Sequence, residues 1–295
     1  MTAGPPGDLR RGGGAASCPA VFAPYLARWG LAADGAEIVT RAARLLPVRQ
    51  GDTPFMLRIA IHPEAQGCHA LLDWWEGDGA ARLVAADGGD AILIERALGT
   101  RSLAAMARAS DDDAATHILC DVIARLHAPR ARPIPDLIPL ATWFDALWPA
   151  ARMHGGLLAR SAEAAQALLA EPVDVRPLHG DIHHDNVLDF GASRGWLAID
   201  PNRLIGERGY DYANLFCNPD METPETPVAV RPERFHARLA IVAARSGLDR
   251  VRLLSWILAY TGLSAAWLLA DGDSAGVDFA IASLADAELA RARGF

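Results

Sequence analysis

The stretch Leu178–Phe190, LHGDIHHDNVLDF, followed by WLAIDP at Trp196–Pro201, decides the reading of this chain. It sets three oxygen-bearing side chains in order: Asp181, Asn186 and Asp200. The apolar runs Val187-Leu188 and Trp196-Leu197-Ala198-Ile199 read as two short strands, joined by a turn at Gly191-Ala192-Ser193-Arg194-Gly195. Folding that hairpin back brings Asn186 and Asp200 to one end. Two oxygen ligands there suit Mg²⁺, which takes one or two carboxylates and fills its octahedron with water and substrate phosphates. Asp181, on the loop before the hairpin, is then free to accept a hydroxyl proton. A turn Asp bonding its own backbone is the plain reading of Asp181 taken alone. The spacing to Asn186 and Asp200 favours chemistry.

The octapeptide HGDIHHDN resembles the catalytic loop of aminoglycoside and choline phosphotransferases, relatives of the protein kinases. The run AIDPNRLIGERGYDYANLFCNPD (Ala198–Asp220) resembles a narrower group, the streptomycin 6-phosphotransferases and hydroxyurea phosphotransferases. The likeness runs from about Trp29 to the C-terminus and is densest over 178–220. It implies an ATP- and Mg²⁺-dependent kinase acting on a cationic small molecule: streptomycin at its 6-hydroxyl, or hydroxyurea, or another metabolite. By position in the family motif, Asp181 is the base, and Asn186 and Asp200 are the metal ligands. His179 is a prop of the loop, and Asp211 braces that loop from a helix start. Arg58 stands where the family has a phosphate-binding Lys, with Glu64 as its ion-pair partner. Glu95 and Ala97 sit at the adenine-binding hinge. Arg58 is the main departure, because a guanidinium is longer and planar where an ammonium is a compact point charge. The glycine-rich phosphate loop is also missing: Thr40-Arg41-Ala42-Ala43-Arg44 joins the first two strands. These departures keep a rival open, a non-catalytic nucleotide-binding protein of the same fold. Glu207 and Arg208 are candidates for the acceptor site.

Composition sets outer bounds. The chain has 295 residues, 51% of them hydrophobic, enough for one large domain or two lobes. A net charge of -8 argues against nucleic acid and suits a cationic substrate. All 28 basic residues are Arg. That excludes a Walker A loop, a Schiff-base enzyme and a pyridoxal-phosphate enzyme, each of which needs Lys. Cys18, Cys68, Cys120 and Cys217 have no paired spacing, which fits a cytoplasmic protein. His179, His183, His184 and Asp185 invite a zinc-hydrolase reading, but their spacing does not match HExxH. The start, MTAGPPGDLRRGGGAAS, lacks an apolar signal core and reads as a disordered arm over 1–18. Leu253–Ala270 carries no charge, but its Ser, Thr, Gly and Tyr favour a buried helix over a membrane span.

Hydrophobic periodicity gives the architecture. Strands are expected at Ile38–Arg41, Arg44–Val48, Phe55–Ile61, Arg82–Ala86 and Ala91–Glu95, with a helix over Glu64–Trp75. Beyond Gly99 helices are expected at Asp111–His127, 141–150, 157–170, 233–246, 251–270 and 275–292. The fold class is therefore α+β and bilobal, protein-kinase-like. A small antiparallel-sheet lobe (19–95) precedes a larger, mainly helical lobe (96–295), and a ligand cleft lies between them. The sequence is silent on oligomeric state.

Overall fold

The computed structural model describes residues 20–40, 42–61 and 67–294. The N-terminal arm and Glu64 lie outside those residues.

The first lobe is an antiparallel sheet. Its strands are β1 (Ala32–Ala33), β2 (Ile38–Val39), β3 (Ala43–Gln50), β4 (Thr53–Ala60), β5 (Leu83–Ala86) and β6 (Ala91–Glu95). They lie in the order β1-β3-β4-β6-β5, with β2 pairing β3. Side chains alternate across a strand, so each strand serves two surfaces. On β6, Ala91 and Leu93 join a small core with Phe22, Leu46, Val48 and Leu57, closed by helix α1 (Ala23–Trp29). Ile92 and Ile94 face the other way, into the main core. Helix α2 (His69–Trp75) packs in that main core too, through Leu71, Leu72, Trp74 and Trp75. The expected helix started at Glu64; among the described residues it starts at His69.

The second lobe is helical. It comprises α3 (Leu103–Met106), α4 (Asp112–Leu126), α5 (Leu140–Trp143), α6 (Leu147–His154), α7 (Gly156–Ala170), α8 (Gly209–Asn214), α9 (Pro232–Ser246), α10 (Arg250–Asp271) and α11 (Gly276–Ala292). The single helix expected at 141–150 is instead α5 and α6, joined by a tight turn at Phe144–Ala146. Helix α10 is long and apolar enough to cross a membrane, yet its central residues, Leu253 through Ala266 with few breaks, are buried among α6, α7, α8 and α11. It is the spine of the lobe.

Five short strands set the functional loops. They are β7 (Ile138–Pro139), β8 (Val175–Leu178), β9 (Val187–Asp189), β10 (Trp196–Ala198) and β11 (Leu204–Glu207). The expected hairpin is β9 paired with β10, Val187 opposite Ala198. Sequence reading missed β8 and β11, which pair antiparallel with Leu178 opposite Leu204. The loop 179–186 therefore hangs between β8 and β9, and the loop 199–203 between β10 and β11. Two ladders clamp both loops side by side.

Candidate active site

The two loops open into a cleft of about 770 Å³ between the lobes. Its lining brings together Arg58, Glu95, Ala97, Asp181, Asn186 and Asp200. Its walls are apolar on both sides: Ile38, Leu45, Met56 and Ile94 from the sheet, Leu188, Phe190 and Ile199 from the hairpin.

The catalytic-loop candidate is held from several directions. Gly180 has φ +83°, and a Cβ there would sit 2.7 Å from Leu204 Cδ1, so the position requires glycine. Asp211, fully buried on α8, accepts the backbone N–H of His179 at 2.9 Å and of Gly180 at 2.8 Å. His127 Nε2 lies 2.8 Å from the same carboxylate. Burial alone would raise the Asp211 pKa, but the His127 contact, the nearby His179 and the Gly180 N–H outweigh it and hold the pKa below the ordinary value. Burial pushes the His179 pKa down, so its ring is neutral at pH 7. Its Nε2 donates to the Ile199 carbonyl (2.8 Å) and its Nδ1 accepts the Asp181 N–H (3.2 Å). That fixes the tautomer and spends both ring nitrogens inside the protein. The Trp75 ring stacks on this imidazole at 6.3 Å between centroids. His179 thus props the 179–186 loop, and α2 touches that loop through it.

Asp181 points into the cleft with its side chain 43% exposed. Asn186 Nδ2 donates to the Asp181 backbone carbonyl (2.8 Å) and to Oδ2 (3.0 Å). This turns Asn186 Oδ1 away from Asp181, where it could hold a metal. Ile199 N–H donates to the Asn186 carbonyl at 2.9 Å, which seats Asp200 one residue beyond Asn186 across the ladder. Asp200 has φ +59°, a left-handed conformation uncommon for a non-glycine residue. Its Oδ1 meets Arg58 Nη2 at 2.5 Å. The donor set of an amide oxygen and a carboxylate fits Mg²⁺. Among the described residues no group of three or more His, Cys, Asp or Glu is placed to hold a metal ion. His184, buried on the far side of the loop, has its pKa held far down by burial.

Arg58 is buried on β4, opposite Leu45 and Ile92, on the cleft face of the sheet. Glu95 ends β6 and Ala97 lies two residues beyond it, and both line the cleft. The Glu95 carboxylate is taken by Arg194 (2.6 Å) from the hairpin turn and by the Arg82 N–H (2.7 Å). Gly99 then passes so near Asp189 that a Cβ would lie 2.2 Å from its Cγ. The hinge is therefore tied to the β9–β10 hairpin.

Two expectations need correction. Glu207 is buried and saturated by Arg252, the Trp256 indole N–H (2.7 Å) and the Val173 N–H (2.9 Å). Arg208 pairs with Asp174 at 2.7 Å. Neither lines the cleft, because β11 carries them to the far end of the sheet from Asp200. Asp185 and Glu222 do line it. Sequence reading also passed over Asn214, whose Nδ2 donates to Asp181 Oδ1 at 2.9 Å. Its signal was present in GYDYAN: Asp211 and Asn214 are three apart on a helix and share one face.

The fold is of the protein-kinase-like class. A profile of the aminoglycoside/hydroxyurea antibiotic resistance kinase family matches residues 28–272, and the chain belongs to that family. It is 52% identical over 262 residues to a streptomycin 3''-kinase of Klebsiella pneumoniae, covering 88% of this chain and 97% of the relative. It is 35% identical to a streptomycin 6-kinase of Streptomyces glaucescens, covering 92% and 89%. Among solved structures it resembles a thermostable mutant of aminoglycoside phosphotransferase APH(4)-Ia in ternary complex with AMP-PNP and hygromycin B. That match has a TM-score of 0.65 at 13% identity, covering 91% of this chain and 98% of the other.

Proposed function

We propose that the protein transfers the γ-phosphoryl group of ATP to streptomycin, at the 3''-hydroxyl, as a cytoplasmic resistance kinase. One observation carries the reading. Asp181, Asn186, Asp200 and Arg58 share one apolar-walled cleft, in a chain 52% identical to a streptomycin 3''-kinase.

The apolar walls suit an adenine ring, with backbone groups at Glu95 and Ala97 as its hydrogen-bonding partners. Arg58 supplies positive charge for the phosphates. Asn186 Oδ1 and Asp200 would hold Mg²⁺, which neutralises the charge on the β- and γ-phosphates when bound. Asp181 orients the acceptor hydroxyl and takes its proton on a free lone pair. The hydroxyl oxygen bonds to the γ-phosphorus, the bond to the β–γ bridging oxygen breaks, and ADP leaves. Asp185 and Glu222 offer carboxylates to the guanidinium groups of the acceptor.

The resemblance of Ala198–Asp220 pointed to the 6-hydroxyl. The higher identity to the 3''-kinase moves the proposed position to the amino-sugar ring, and the 35% relative keeps the 6-hydroxyl as the second reading. Phosphorylated streptomycin, fragmented in a mass spectrometer, separates the two. Phosphate on the amino-sugar fragment is expected. Phosphate on the streptidine fragment would select the 6-hydroxyl, and no phosphorylated product would overturn the proposal.

A further inference from the structure

We infer that Asn214 is a positioning residue: its amide, locked by Tyr260 and Asn218, aims the Asp181 carboxylate at the acceptor hydroxyl. The inference rests on the proposed reaction, in which Asp181 is the base.

A carboxylate has two oxygens with about four lone-pair positions. One donor on one oxygen leaves the group free to swing about its Cβ–Cγ bond. Asp181 receives two donors on different oxygens, Asn186 Nδ2 on Oδ2 at 3.0 Å and Asn214 Nδ2 on Oδ1 at 2.9 Å. Together they fix the plane of the group and leave its remaining lone pairs on the exposed, cleft side.

An amide holds a carboxylate only if its N–H₂ end faces it. For Asn214 that end is fixed by what binds the other. Its Oδ1 accepts the Tyr260 hydroxyl at 2.5 Å and Asn218 Nδ2 at 3.2 Å. Burial pushes the Tyr260 pKa well above its ordinary value, so the hydroxyl keeps its proton and remains a donor. Tyr260 is itself fixed in mid-α10, packed edge-on against Tyr210 at 5.7 Å. A flipped Asn214 would set its N–H₂ against two donors and its oxygen against the Asp181 carboxylate.

Neither Asn214 nor Tyr260 lines the cleft, and Asn214 is buried. Neither touches substrate, so their effect on rate passes through Asp181. Helix α8 therefore braces the catalytic loop twice from one face. Asp211 holds the loop backbone and Asn214 holds the reacting side chain.

The test is a double-mutant cycle in steady-state kinetics with Mg-ATP and streptomycin. Asn214→Leu, similar in volume and without a donor, is expected to lower kcat about tenfold to a hundredfold. KM for both substrates should stay within about twofold. In an Asp181→Ala background the same substitution should cost nothing further. Tyr260→Phe, which keeps the ring packing, should lower kcat about fivefold, and again only when Asp181 is present. Tyr260→Phe keeps the inference testable if Asn214→Leu does not fold. Equal losses in both backgrounds, or a rise in KM at unchanged kcat, would overturn it. Absence of transfer by the wild type, or transfer untouched by Asp181→Ala, would overturn the functional reading as well.

Discussion

The two walls of the cleft are made differently. On the helical-lobe wall, geometry is fixed by polar side chains. Asp211 holds the loop backbone, His179 uses both ring nitrogens, and two amides hold Asp181. The sheet wall is lined mainly by apolar side chains, among them Ile38, Ala43, Leu45, Met56 and Ile94, with Arg58 on β4 and Arg96 just past β6 as its cations among the described residues. The difference follows from what each wall would do in the proposed reaction. Proton acceptance needs one carboxylate at one angle, and only specific donors at specific places supply that. An adenine needs a flat apolar slot and backbone partners, which many side chains can build.

The comparison predicts where substitutions hurt most. Asp181→Ala should lower kcat about 10²- to 10⁴-fold with ATP affinity unchanged, read by kinetics and calorimetric titration. A matching loss of ATP affinity would mean that the walls are not separate in function.

Asp211→Ala should act on stability as well as rate. It strips partners from the His179 and Gly180 N–H groups and from His127. A loss of about 3–5 kcal/mol is expected in urea unfolding. The pH dependence has a definite sign. The folded-state pKa of Asp211 lies below its ordinary value, so folding favours the ionised form. Its contribution is complete above about pH 3.9 and is lost as pH falls through the folded-state value. The acid limb of the stability profile should therefore flatten in Asp211→Asn.

The sheet wall should respond through the nucleotide. Arg58→Ala should raise KM for ATP about tenfold, as expected for a lost charged contact to phosphate. Arg58→Lys is the sharper variant. The guanidinium reaches Asp200 at 2.5 Å, and a shorter-reaching ammonium gives up that fork. Turnover should fall about threefold to tenfold. Turnover above the wild type would show that Arg58 handicaps the enzyme, and the contrast between the walls would need revision.

Away from the cleft, rate should not respond. Asp278 on α11 is buried, and its Oδ2 has no hydrogen-bond partner among the described residues. Burial raises its pKa to about 6, against weaker lowering by Ser264 and Cys217. Folding here favours the protonated form, so stability falls as pH rises from about 4 to 6. Asp278→Asn should recover up to roughly 3 kcal/mol at pH 8, seen as a raised Tm, with kcat unchanged.

The same contrast explains what could be read from the sequence. That Asp181, Asn186 and Asp200 meet in one cleft was legible because the hairpin joining them is marked by two apolar runs and a turn. Strand β6 was legible because Ala91–Glu95 is an apolar run opened by the turn residues Asp87-Gly88-Gly89-Asp90. Strands β8 and β11 were not, since four residues holding Pro177 or Gly206 show no alternation, and their pairing is set by packing across the loop. The contact of Arg58 with Asp200 was hidden because it spans the two walls. Glu207 misled because a carboxylate near a metal residue looks functional until its partners, Arg252 and Trp256, arrive from α10. Asn214 was visible but unassigned, since its role depends on Tyr260, distant in sequence and fixed only by the fold.

In the proposed reaction this cleft transfers a phosphoryl group with Asp181 as the base. The most direct test is mass spectrometry of streptomycin after incubation with Mg-ATP and either the wild type or Asp181→Ala. A mass gain of one phosphoryl group with the wild type, nearly absent with the variant, is the predicted result. Equal product from both would contradict the role of Asp181, and no product from the wild type, with ATP bound, would contradict the proposed reaction.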